Sequence, residues 1–322
     1  MANRWESARQ RAEYLRGDAQ LKWSKARVDH SSVGFAEAIY ERDQDSFASV
    51  LGSAIALRLF LFVVPVTLAG VGLVNLMALD HLLDDTVTSN VTLGTLSAAL
   101  KDASAWKAFT TTVTGLILTL WAGRTLARVL ATTSSAAWQL ERRSKVRPVQ
   151  MLALIGVMFS TVVANLMYTR LRDVSGIAAG FVVTLMVLAT VTIAWFLVSL
   201  TLPRITTDPG AVLPGALMFG VAYTALQWFM QFYLPNKIAR TSDTFGQLAV
   251  TIATLGNFFF IGRMMSASFV LSAVVFERYG SVSHVIFGLP VVRTLPRKFP
   301  KLRTYFALDA QVPAADVEGA AE

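Results

Sequence analysis

Six apolar blocks punctuate this chain, each of about 20 residues or more and each bounded by charged or turn-forming residues. A helix needs roughly 20 residues, at 1.5 Å each, to cross a hydrocarbon core about 30 Å thick. The blocks therefore predict an all-α, polytopic membrane bundle with spans near 48–78, 107–127, 149–171, 176–202, 210–234 and 246–276. Barrel strands would read instead as alternating segments of about ten residues. The chain is 54% hydrophobic and only 16% charged, against about 25% charged in soluble domains. Its charges gather at the two ends and in one central stretch, which leaves the blocks themselves almost uncharged.

The basic residues predict the orientation. With the N-terminus inside, the inner segments hold eight in the arm, six between Arg124 and Arg147, Arg204, and six from Arg278 to Arg303. The outer segments hold only Lys101, Lys107, Arg170, Arg172, Lys237 and Arg240. This bias follows the positive-inside rule and predicts both termini in the cytoplasm. Residues 1–46 read as a cytoplasmic arm, 47–278 as the six-helix domain, and 279–322 as a cytoplasmic tail with an acidic, alanine-rich, disordered end. The arm is polar from Met1 to Arg27, so a cleavable signal peptide is not expected. Near its end, Ser31 to Asp43 predicts a short interfacial helix with Phe35 and Ile39 on its apolar edge. The segment Thr125 to Glu141 reads either as a separate intracellular helix or as a continuation of the second span.

The net charge of +8 is explained by flanking anchors that also attract anionic lipid. No nucleic-acid-binding motif accompanies it, and no nucleic-acid partner is expected. With no cysteine and with three scattered histidines, His30, His81 and His284, neither a metal site nor a cofactor is predicted. No HExxH, GxSxG or Walker pattern occurs, so the chain does not read as an enzyme.

The chemistry concentrates in a few polar residues within or beside the spans. Arg58 lies within the apolar stretch Phe47 to Leu79, and Arg263 midway along the last block. A charge at the bilayer centre costs about 2.5–3.5 kcal/mol on insertion scales. No acidic residue is predicted at the depth of either arginine, which leaves helix carbonyls, amides, water or an anion as partners. A guanidinium fork can hold a phosphate through two hydrogen bonds. Arg58, Arg263 and Asn257 are thus candidate substrate-binding residues. Arg124 and Arg128, one turn apart beside Trp121, are candidates for binding a headgroup or anchoring an interface. Pro65 and Pro214 are candidate hinges. Gln227 and Gln231 share a helix face and favour interhelical bonding.

The run Ser53-Ala54-Ile55-Ala56-Leu57-Arg58-Leu59-Phe60-Leu61-Phe62-Val63-Val64-Pro65 resembles the first span of the YihY/virulence-factor BrkB family of bacterial inner-membrane proteins. The segment from Thr244-Phe245-Gly246 to Leu255-Gly256-Asn257-Phe258-Phe259-Phe260-Ile261-Gly262-Arg263 resembles that family's last span. The basic, Trp-containing stretch from Trp121 to Trp138 fits the turn after its second. The chain departs from the family's Gly-Ala-Glu near the end of the last span, where Ser266-Ala267-Ser268 and Ser272-Ala273 stand instead. The resemblance implies a six-helix inner-membrane protein linked to envelope lipid or solute export. The family's older ribonuclease BN label finds no metal-binding cluster here. Two functions are expected to compete: export of an anionic, lipid-linked or small solute, and a non-transporting scaffold for envelope biogenesis.

Overall fold

A computed structural model of the chain describes residues 31–76, 105–140, 177–245 and 247–283. Its helices are α1 (Ser31–Asp45), α2 (Ala48–Leu76), α3 (Ala105–Ala137), α4 (Ile177–Thr201), α5 (Leu213–Phe245) and α6 (Gln247–Tyr279), with a 3-10 turn at Pro209–Val212 leading into α5. The described residues are helical apart from short turns, and five of the helices, α2 to α6, are long and apolar enough to cross a membrane. These five coincide with expected spans. The expected span at 149–171 lies outside the described residues, as do the arm before Ser31 and the acidic tail.

α1 ends in a sharp reversal. Ser46 donates its N–H and its hydroxyl to the Arg42 carbonyl at 3.0 and 2.7 Å, and Phe47 adopts a left-handed φ of 50°. A left-handed residue with a side chain costs on the order of 1–2 kcal/mol. The bonds around the turn hold it there, and α2 starts one residue later.

α3 settles the choice that its sequence leaves open, because it runs unbroken to Ala137. Thr125, Thr132, Thr133 and Ser135 return their hydroxyls to carbonyls one turn back, at 2.8–3.0 Å. These polar side chains therefore need no solvent and do not interrupt the helix. Gln139, with φ of 50°, closes it as Leu140 N–H bonds to the Ser135 carbonyl at 2.9 Å, a Schellman ending. At 33 residues, α3 is about 50 Å long, well beyond the apolar core of a bilayer.

The helices form a curved row in the order α3, α2, α6, α5, α4. Small residues set the spacing. A Cβ on Gly115 would stand 2.6 Å from the Ala69 nitrogen, and one on Gly262 would stand 2.7 Å from the Ala56 nitrogen. Helix backbones touch at both places, and neither glycine has room for a side chain. On the other side of α6, Trp195 of α4 is 2% exposed and lies between Phe219 and Phe269. Its indole N–H donates to the Ser268 hydroxyl at 2.8 Å, which satisfies the only polar atom of a large core side chain. The row curls closed at the end occupied by α1. There the Ser134 hydroxyl of α3 donates to the Pro203 carbonyl beyond α4, and Trp138 packs with Ala211, Val212 and Ala273.

Candidate anion-binding layer

Close helix contacts supply a depth scale. Gly115 lies against Ala69 and Gly72 against Thr112, so α2 and α3 are antiparallel. Residue 58 of α2 then falls level with residue 126 of α3, between Arg124 and Arg128. Gly262 nests between Gly52 and Ala56, and the rings of Phe60 and Phe258 meet at 5.9 Å. This register brings Asn257 level with position 59 of α2 and Arg263 level with position 53. Arg58, Arg124, Arg128, Asn257 and Arg263 therefore share a layer about 10 Å deep, taking 1.5 Å per residue.

They share a depth but do not converge on one pocket. Arg58 is eleven residues from Ala69, close to three full turns, so it stands on the face of α2 that meets α3. It is half-buried. Ala56, which touches α6, points about 160° away from it. Arg124 and Arg128 are exposed on the outer face of α3, below the exposed ring of Trp121. Asn257 is half-buried on α6. Arg58 and Arg263 thus belong to a cationic belt running from the α2–α3 seam to α6.

Arg263 corrects an expectation. It has a carboxylate partner: its Nη1 and Nη2 donate to Oδ1 and Oδ2 of Asp43 at 2.7 and 2.8 Å. Asp43 belongs to α1, 220 residues away in the chain, and the turn at Phe47 folds it against α6. Pairing at that distance along the chain leaves no local signal, and the sequence places this acid only at the end of the short interfacial helix. Next to it, Arg42 pairs with Glu277 of α6 and donates to the Ala137 carbonyl at 3.4 Å.

Other candidates resolve in simpler ways. Pro214 is the second residue of α5, in the first turn, where the missing N–H breaks no helical bond. It is not a mid-helix hinge. Pro65 lies inside α2, which continues through it to Leu76. Gln227 donates to the Tyr223 hydroxyl within its own helix at 2.8 Å rather than to a neighbouring helix, and the Gln231 side chain lies outside the described residues. Arg204 caps the end of α4, donating to the Ser199, Leu200, Thr206 and Thr207 carbonyls, as suits a cation at a helix C-terminus.

One buried acid escaped the sequence reading. Asp208 is 2% exposed and accepts from Gly210 N–H at 2.9 Å and from the Ser283 hydroxyl at 2.7 Å. It caps the 3-10 turn before α5. The Asp208-Pro209-Gly210 run is the signal that would have found it, since it combines a cap acceptor with two turn formers. Among the described residues, no three of the metal-ligating side chains His, Asp and Glu cluster. Comparison with known proteins gives no matching family model, no matching curated protein and no matching solved structure.

Proposed function

We propose that this chain is a six-span bacterial inner-membrane protein, N-in and C-in, that engages anionic lipid or lipid-linked phosphate and moves it between leaflets in a flippase-like way. The carrying observation is the cationic belt. Its guanidiniums lie at one depth, as lipid phosphates do, and within it the Asp43 carboxylate is paired with Arg263. On the outer face of α3 an uncharged run from Phe109 to Trp121 separates Lys107 from Arg124. That is 17 residues, about 25 Å, close to a hydrocarbon thickness. The exposed rings of Trp106 and Trp121 near its ends suit membrane interfaces.

The sixth crossing is supported by direction. α3 and α4 both finish at the α1 end of the row, so the crossing expected at 149–171 supplies the reversal between them. The N-in orientation rests on the 21 to 6 distribution of basic residues. Membership of the YihY/BrkB family rests on the two stretches quoted above, and with it comes the link to envelope export.

A second reading, a non-transporting scaffold, is favoured by one observation: Arg263 and Arg42 are satisfied inside the protein. The two separate in liposomes. Protein reconstituted in phosphatidylcholine vesicles with a fluorescent acidic phospholipid in one leaflet should speed its loss from that leaflet. Arg58→Gln and the double variant Arg124→Gln/Arg128→Gln should each slow that exchange while leaving the protein folded. No acceleration by the intact protein would defeat the transport reading and leave the scaffold.

A further inference from the structure

We infer that the Asp43 carboxylate is an internal stand-in for the ligand's phosphate, so that an acidic headgroup reaching Arg263 displaces it and frees α1. This rests on the lipid-binding reading above.

The Asp43–Arg263 bond has the form that a phosphate would take. Two oxygens of one planar anion meet the two terminal nitrogens of the fork, at 2.7 and 2.8 Å. A phosphate presents two oxygens at a similar spacing with equal or greater charge. The pair is also unequally protected, since the Arg263 side chain is 35% exposed and that of Asp43 12%. The cation can therefore be approached while its intramolecular partner is still attached, which is the geometry that competition needs. It sits in the same layer as Arg58, Arg124 and Arg128, where the proposed headgroups lie.

α1 is built to leave. Its apolar attachments are light: Phe35 meets Tyr279 at 5.8 Å, and Ala38 and Ile39 are only partly buried. An open cleft of about 340 Å³ lies between α1 and the ends of α3 and α6, walled by Glu41, Arg42, Asp45, Gln139, Glu277 and Arg278. A polar tie, Arg42 to Glu277 and to the Ala137 carbonyl, lies at the rim of that cleft. The pivot is the left-handed Phe47 turn, whose backbone cost is relieved when the turn opens. Losing one charged partner at Arg263 shifts a marginal balance rather than breaking a packed interface.

The experiment is hydrogen exchange of the full-length protein in nanodiscs of phosphatidylcholine alone, or of equal parts phosphatidylcholine and phosphatidylglycerol. Bound phosphatidylglycerol is counted in parallel by native mass spectrometry. In the intact protein, amides of residues 31–45 should exchange about tenfold faster with phosphatidylglycerol present, the loss of a tie worth one decade in an opening equilibrium. Asp43→Asn should exchange fast in both discs and ignore the lipid, and Asp43→Glu should restore the response. The intact-protein comparison stands even if a variant fails to fold. If phosphatidylglycerol is retained but residues 31–45 do not respond to it, the displacement is wrong and the lipid reading survives. If none is retained, the lipid reading fails and takes the displacement with it.

Discussion

At one depth the two flanks of this bundle present opposite chemistries. The α3 flank shows Arg124 and Arg128, with Arg58 behind them in the α2–α3 seam. On the α4–α5 flank, Gly215 packs onto Ser268 and Ser272, and Gly220 lies against Thr192. Val221 and Ile193 are thereby level with Arg263, and they are 57% and 58% exposed. Hydrocarbon surface thus continues on one flank through the depth at which the other is cationic. On the proposed function, a layer cationic on one flank only would engage headgroups from that flank. A symmetric collar at a membrane border would have carried charge all the way round.

The harshest way to break that comparison is to place a cation on the apolar flank. Val221→Arg should cost up to about 2.5–3.5 kcal/mol, the penalty at the bilayer centre, less whatever the side chain recovers by snorkelling to nearby headgroups. Its signature is a sharp fall in membrane yield and in detergent melting temperature. If Val221→Arg is tolerated as well as the native Arg124, the flanks are equivalent and the asymmetry is lost.

The next effect belongs to the α1 end. Arg263→Leu leaves the Asp43 carboxylate largely buried without its partner. Removing one member of a fully buried pair costs about 3–5 kcal/mol. With Arg263 one-third exposed, about 2 kcal/mol is expected after allowing for solvent. Asp43→Leu/Arg263→Leu should recover most of it. A double-mutant cycle on thermal stability reads the coupling. Additive losses would mean that the pair is a surface contact and holds nothing.

The spans were legible because twenty-residue apolar runs have few alternative folds, and α2, α4, α5 and α6 begin within a few residues of their expected starts. The five candidate binding residues were legible as unusual polar groups in those runs. Their shared depth was not, because depth depends on register between helices, and the contacts that set it are made by glycines. Gly52, Gly115, Gly262 and Gly215 carry no hydrophobic signal, yet they decide what lies opposite what. Arg263 is the clearest case. Its midpoint position in α6 suggested the bilayer centre, but α6 is 33 residues long and overhangs α2. Opposite Gly52, only a few residues into α2, it stands within reach of α1 and its aspartate.

A smaller effect sharpens the apolar flank. Trp195→Phe keeps the ring stack with Phe219 and Phe269 but removes the donor to the Ser268 hydroxyl oxygen. Ser268 still donates to the Met265 carbonyl at 2.7 Å, so no buried donor is orphaned. The loss should be about 1 kcal/mol, the net worth of one neutral hydrogen bond. Circular dichroism melts in detergent can resolve it. Because α4 and α5 meet α6 through this stack rather than through charge, acidic lipid should leave the change in melting temperature unaltered. The α1 pair should behave otherwise, with the cost of Arg263→Leu shrinking as acidic lipid rises, because the lipid already competes with Asp43 in the intact protein. A lipid-dependent Trp195→Phe would mean that the anion reaches both flanks, and the asymmetry would have to be given up.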